Sequence, residues 1–286
     1  MARLSSQDSP DPAASGPARI GYAQIDTSVA HPARRYNYLL GGKDNFAADR
    51  ASGDELARMF PTVRIAAVEN RRFLQRATRF LTEEAGIRQF LDIGTGLPTA
   101  DNTHEVAQRI APESRVVYVD NDPMVMAHAR ALLTSTPAGK TTYLEDDLRR
   151  PADILARPEL HDTLDFSKPV GLMLIAVLHF IGGDGEAEPI VRTLLDALAP
   201  GSYLVLSNAT ADQGPPEGLA QFRQLFNAGK VDIWPRSRAE ITGLFDGLEL
   251  IPPGVTMVSE WRAEREPQPR PNPDDVAVYG AVGRKP

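Results

Sequence analysis

The chain has 286 residues, a formal net charge of −7 and no cysteine. The acidic balance argues against a nucleic-acid partner, which calls for a basic footprint, and the missing thiols exclude disulfides, thiolate metal sites and any cysteine nucleophile. Met1 to Ser6 lacks the apolar core of a signal peptide, and the longest apolar run, Val170 to Ile181, is about a dozen residues, too short to cross a bilayer. A cytoplasmic protein with no membrane partner is expected.

Residues 1–19 are rich in Ser, Pro, Asp and Ala and read as a disordered tail. Ala33 to Leu40 reads as a short helix stopped by Gly41-Gly42. Asp44 or Asn45 is placed to cap a helix running from Ala47 to Met59. Pro61-Thr62 opens a longer one, with Ile65, Ala66, Glu69, Phe73, Ala77 and Phe80 at helical spacing. Its arginines, Arg71, Arg72, Arg76 and Arg79, read as a solvated face paired with acids. Residues 20–85 are thus expected to form a helical cap, and residues 86–286 an α/β domain.

Phe90-Leu91-Asp92-Ile93 followed by Gly94 and Gly96 has the form of a buried parallel strand ending in a tight turn. A helix follows from near Thr99 to Ala111 and stops at Pro112. Val116 to Val119 is a second strand ending in Asp120, about 24 residues beyond Gly96, the spacing of nucleotide sites. A carboxylate at that tip can accept hydrogen bonds from both hydroxyls of a ribose. Facing an open cleft, it is expected to support little packing. Strand, glycine turn, helix, strand and acid indicate a nucleoside site. A G-x-G-x-x-G fingerprint would need glycine at Thr99, so the glycines alone do not choose the nucleoside.

Further on, Val170 to Val177 is nearly continuously apolar, as a central strand covered on both faces would be. Glu186 to Leu198 is an amphipathic helix, Ala199-Pro200-Gly201 a turn, and Ser202 to Ser207 a fifth strand. Leu219 to Asn227 reads as an inserted helix, and Ser237 with Glu240 makes a capping box for a helix reaching Phe245. Closing strands fit part of Leu248 to Trp261 and Val276 to Val282, joined by the proline-rich Arg262 to Asp275. Trp234 and Trp261 either line a pocket or bury area.

Asp92 two residues before the first glycine, Asp120-Asn121-Asp122-Pro123, and Thr142-Tyr143-Leu144-Glu145-Asp146-Asp147-Leu148 resemble, in order, the motifs of class I S-adenosylmethionine (SAM)-dependent methyltransferases. That match runs from about Gly86 to Asn208. The stretch from Arg34 to Arg50 (RRYNYLLGGKDNFAADR), with Ile25-Asp26-Thr27 and Glu69 to Leu74, closely resembles the N-terminal signature of a bacterial family of SAM-dependent methyltransferase-like proteins whose substrates are generally unassigned. The resemblance then covers nearly the whole chain after residue 20.

It implies a Rossmann-like α/β class I methyltransferase fold: a mostly parallel seven-stranded sheet with an antiparallel last strand, plus an N-terminal helical cap. The cofactor would be SAM, the product S-adenosylhomocysteine (SAH), and the partner a small-molecule acceptor methylated on O, N or C. Cofactor contacts would come from Asp92, Gly94, Thr95, Gly96, Asp120, Asn121, Asp146, Asp147, Leu148 and Ala176. In that family Asp92 lies near the methionine moiety, and the third-motif acid, with Asp147 favoured, meets the adenine amino group.

Other candidates face the acceptor. His179, just past the fourth strand, is placed either to deprotonate a substrate hydroxyl or amine or to shape the pocket. Tyr36, Asn37 and Tyr38 either roof the pocket or pack the short helix; Asn70 and Arg71 either meet a cofactor or substrate carboxylate or lie on an exposed face. Positions 176–179 read Ala-Val-Leu-His, so an Asn-Pro-Pro-Tyr-like motif is absent, and His31, His104, His128 and His161 show no metal-ligand spacing. Two rival readings are a noncatalytic SAM-binding regulator and an NAD-dependent oxidoreductase, although the latter's Tyr-x-x-x-Lys constellation is missing.

Overall fold

A computed structural model describes residues 25–132, 134–214 and 217–286, so the expected tail over 1–19 lies outside the described residues. Helix α1 (Pro32–Leu39) starts on a proline, where no amide is needed, and its first turn is capped by His31 Nδ1, which accepts from Ala33 N at 3.3 Å. Helix α2 (Ala47–Met59) has the expected bounds but another cap: Asp49 Oδ2 accepts from Phe46 N at 2.8 Å. Asp44 and Asn45 are otherwise engaged, because Asn37 Oδ1 accepts from Asp44 N and Asn45 Nδ2 at 3.1 and 2.9 Å. Helix α3 spans Val63–Glu83.

The sheet begins with β1 (Gln89–Ile93), followed by α4 (Thr103–Ile110), β2 (Arg115–Asp120), α5 (Pro123–Leu132) and β3 (Lys140–Glu145). Two short helices, α6 (Pro151–Leu155) and α7 (Pro158–His161), lead to β4 (Gly171–Ile175), and a 3₁₀ turn at Leu178–Phe180 precedes α8 (Ala187–Asp196). The remainder is β5 (Tyr203–Ala209), α9 (Gly218–Asn227), α10 (Arg238–Gly243), β6 (Glu249–Leu250), β7 (Thr256–Met257), α11 (Pro273–Val276) and β8 (Val278–Arg284). The Ser237–Glu240 capping box forms as read, with Ser237 N donating to Glu240 Oε2 at 2.8 Å, although α10 stops at Gly243.

Strand order is β3-β2-β1-β4-β5-β8-β6, with β7 also paired to β8. Strands β1 to β5 are parallel and β8 runs antiparallel to β5, β6 and β7. The eighth strand, beyond the seven expected, is thus one of the two-residue pieces lying against β8. The order reverses between β1 and β4, so their carboxyl ends open a crevice of the kind where α/β sheets bind ligands.

Both faces of the sheet are buried, which explains the apolar runs. One core holds Leu91, Val117, Leu172 and Leu174 with Ile190 and Leu194 of α8 and Ile241 of α10. The other holds Phe90, Val116, Met173 and Val205 with Phe73, Leu74, Phe80 and Leu81 of α3 and Trp261. Trp261 sits edge-on to Phe73 and Phe80 at 5.5 and 5.9 Å, and Trp234 packs on Phe226 at 5.2 Å, so both indoles bury area. Val63 and Ala67, at the other end of α3, join Leu39 and Leu56 in a satellite cluster. Helix α3 therefore contributes to both the sheet core and the satellite cluster.

The arginines of α3 do not form one solvated face. Arg76 is buried and donates to Trp261 O at 2.8 Å and to Val258 O. Glu69 is buried beside it and accepts from Arg72 at 2.7 Å and from Arg270 of the segment preceding α11. Among the described residues, no helix is long and apolar enough to cross a membrane, and no His, Cys, Asp and Glu cluster could hold a metal ion.

Candidate functional site

The crevice is a cavity of about 700 Å³. At one end are the tips of β1 to β3. Gly94 and Gly96 have φ of 74° and 68°, which only glycine adopts without strain. A Cβ on Gly94 would lie 2.3 Å from Val177 Cγ2, whereas one on Gly96 would meet nothing within 4 Å, because that side of the turn faces open space. Asp120 ends β2 with both oxygens fixed: Oδ2 accepts from Gly96 N at 2.8 Å and Oδ1 from Asp122 N at 3.0 Å. Each oxygen keeps a further lone pair. The carboxylate is therefore part of the loop's scaffold, contrary to the expectation that it supports little. Burial pushes its pKa up, against the two amide bonds.

Asp92 is buried one strand over, accepting from Thr103 Oγ1 at 2.6 Å. Burial raises its pKa from 3.8 to about 6, opposed by the Thr103 hydrogen bond and the positive charge of Arg71. Arg71 donates to Asn102 Oδ1 at 2.8 Å and Ala100 O at 3.3 Å, and its Nε is buried without a partner among the described residues. A carboxylate and a guanidinium with donor capacity to spare thus sit at one edge of the cavity. Thr95, Asn121, Asp146, Asp147 and Leu148 line it too. Asp147 is turned toward Arg149, accepting from its backbone N at 2.9 Å, while Asp146 Oδ1 accepts from Asp147 N at 2.9 Å.

A chain of hydrogen bonds crosses to the roof. Ala176 N donates to Ser207 Oγ at 2.9 Å, Ser207 Oγ to Asn70 Oδ1 at 2.6 Å, Asn70 Nδ2 to Tyr36 OH at 3.1 Å, and Tyr36 OH to Ala67 O at 2.9 Å. It ties β4, β5, α3 and α1 together and holds Ala176 at φ 51°, a left-handed conformation that an alanine adopts only under constraint. Burial raises the pKa of Tyr36, so its phenol stays protonated.

His179 lines the same cavity from the 3₁₀ turn. Burial drives its pKa down to about 3, so the ring is neutral near pH 7, and Nδ1 is sealed without a partner among the described residues. Such an imidazole is a poor proton acceptor for a hydroxyl, which shifts the expected role from base to hydrogen-bonding or shaping group. Its position is fixed by Arg236, buried, which donates to Leu178 O at 2.9 Å, Ile181 O at 2.7 Å and Asn208 Oδ1 at 3.0 Å.

Two expected pocket residues are placed elsewhere. Asn37 is buried under Gly42 and organises the following loop, and Tyr38 lies on Gly53 with its hydroxyl donating to Asp54 Oδ1 at 2.7 Å. On an eight-residue helix, three successive side chains point about 100° apart, so only Tyr36 reaches the cavity. Sequence reasoning also missed how the roof is pinned. Asp122 is buried and its Oδ2 lies 3.2 Å from both His31 Nδ1 and Arg34 Nε, linking α1 to the loop after β2. Arg35 binds both oxygens of Asp232 at 2.8 Å. The Arg34-Arg35 pair opening the distinctive stretch was the available signal, but its acids lie far along the chain.

Comparison with known proteins agrees with this architecture. A DUF574 family protein from Streptomyces avermitilis is 47% identical, with 92% of this chain and 100% of that one covered and a TM-score of 0.84. A candidate methyltransferase from Thermobifida fusca is 42% identical, with 91% and 97% covered and a TM-score of 0.82. Magnesium protoporphyrin IX methyltransferase from Synechocystis, solved with SAH, shares the fold at 12% identity and a TM-score of 0.50, with 88% and 93% covered. No curated protein matches the sequence. A family model described as S-adenosyl methyltransferase matches residues 19–286, so the chain belongs to that family and its cofactor is SAM.

Proposed function

We propose that this methyltransferase transfers the methyl group to an O, N or C atom of a small-molecule acceptor held in the cavity beside the strand tips. The observation carrying this reading is that one cavity of about 700 Å³, a size that suits small molecules, is lined both by the strand-tip acids and by the apolar roof. The residues present fit the cofactor. The positive charge of Arg71 at the cavity wall suits the methionine carboxylate and nearby Asp92 the ammonium, a complementary pair for a zwitterion. Asp120 has lone pairs left for the ribose hydroxyls, and the open space at Gly96 lets a ligand approach the main chain. Asp146 or Asp147, with Asn121 and Leu148, falls to the adenine side, and Ala176 to the transfer end.

SAM would supply an electrophilic methyl group on a positively charged sulfur: a bond from the acceptor atom to that carbon would replace the carbon–sulfur bond, SAH would leave, and a proton lost by the acceptor would pass to water. The protein's own share is alignment and exclusion of water. The Ala176–Ser207–Asn70–Tyr36 chain fixes the floor against the roof, and His179, neutral, offers a hydrogen bond rather than a proton sink. The rival to this reading is a SAM-binding regulator without turnover. Melting curves should rise with SAM and SAH and not with NAD or NADP, since a ligand that binds only the folded state stabilises it. Incubation with SAM and a metabolite library, read by mass for a gain of one methyl group, separates enzyme from regulator. A shift with NAD alone would overturn the cofactor site, and SAM binding with no methylated product would favour the regulator.

A further inference from the structure

The two ends of the cavity differ in chemistry. The strand-tip end is rich in carboxylates and backbone amides. The other end is walled by Leu39, Leu56, Phe60, Val63 and Ile233, the satellite cluster that packs apart from the sheet cores. Of the cations bordering this end, Arg35 is paired with Asp232 and Arg149 with Asp147. An outer hollow of about 510 Å³ shares Leu56, Met59, Phe180 and Ile233 with this chamber, but its lining turns polar, with Glu55, Lys230 and Asp232, so the apolar wall belongs to the inner chamber. At the rim of the outer hollow Val29 and Met59 are 62% and 45% exposed.

We propose that the methyl acceptor is an uncharged, largely apolar molecule of at least fused-ring size that fills this chamber and directs its nucleophilic atom toward His179. The inference rests on the methyltransferase reading of the cavity and names its substrate class. A charge carried into the chamber would lose water and find its counterions occupied, which is costly. A small polar acceptor would leave the apolar wall wet and gain little from it. His179 is the polar ring that lines the cavity where the apolar wall meets the transfer end. The volume of the cavity leaves room for a ring system beside the cofactor.

The test is calorimetric titration of the SAH-loaded protein at pH 7 with three probes: 2-naphthol, 2-naphthoate and catechol. Binding of 2-naphthol at least about tenfold tighter than either of the others is expected. Leu56→Trp, which fills the chamber, should remove 2-naphthol binding while SAH affinity stays within about twofold; Ile233→Trp, in the same apolar cluster but less buried, serves if the first variant fails to fold. Equal or tighter binding of 2-naphthoate or catechol, no binding of 2-naphthol, or its full retention in a folded Trp variant would overturn the proposal. SAH affinity is measured first, so a failure of the cofactor site is seen separately from a failure of the acceptor class.

Discussion

The strand-tip end and the roof of the cavity are held together by different means. At the strand tips, Asp120, Gly94 and Gly96 are fixed by backbone amides and by positive φ angles, so the geometry exists before any ligand arrives. The roof is joined to the rest by side chains: Arg34 to Asp122, Arg35 to Asp232 and Tyr36 to Asn70. A site fixed by backbone is shared across a fold, whereas one built from side chains varies without disturbing the sheet. On the function proposed above, cofactor recognition falls to the rigid half and acceptor choice to the adaptable half.

The most damaging change to the rigid half should be Gly94→Ala. A methyl there collides with Val177 and strains a φ of 74°, so a loss of about 2–4 kcal/mol in urea melts and no measurable SAH binding are expected. Gly96→Ala keeps the strain without the collision and should cost about 1 kcal/mol in the apo protein. Equal effects at the two positions would show that the collision is relieved by a shift of the turn.

Asp120→Ala should weaken SAH at least about tenfold by calorimetry. It should also cost the apo protein about 1–3 kcal/mol, because the amides of Gly96 and Asp122 lose their acceptor. Asp120→Asn keeps one accepting oxygen and should fall between. Native-like stability in the alanine variant would remove Asp120 from the scaffold.

Asp92 gives a pH signature. Its folded pKa, about 6, stands above the unfolded 3.8, so its contribution to stability is full below about pH 4 and is lost as pH rises through 6. Asp92→Asn should flatten that part of the stability profile. With an ammonium bound, the ionised form is favoured, so wild-type SAH affinity should drop below about pH 6 and the asparagine variant should show no such step.

The smallest effect is expected in the roof. Arg35→Ala or Asp232→Ala breaks a pair whose acid is 46% exposed, so the loss should be about 1 kcal/mol or less, with unchanged SAH affinity and faster amide exchange in α1. A loss as large as that at Asp120 would mean that the roof, too, is scaffold.

The same contrast explains what the sequence disclosed. The strand tips were legible because strand, turn and acid follow one another within a few residues, each with a local backbone reason: the apolar run of β1, the two glycines, the tip of β2. The bounds of α2 were legible for the same cause. Asn37 and Tyr38 were not, because helix rotation is set by what the helix packs against. Burial of Arg76 was hidden since its acceptors, Val258 O and Trp261 O, come from the far end of the chain. The protonation state of His179 depends on how completely Arg35, Trp234 and Arg236 enclose it, which no local pattern encodes.

Helix α3 carries Val63 under the roof and Phe80 inside the sheet core on one 21-residue rod. Such a rod cannot follow the roof without tearing Phe73, Phe80 and Leu81 from the sheet. Widening of the chamber must therefore bend the chain ahead of Val63, at the Phe60-Pro61-Thr62 elbow where α2 has ended. Any such bend would carry α1 and α2 together and would have to break the Arg34–Asp122, Arg35–Asp232 and Tyr36–Asn70 contacts that hold them.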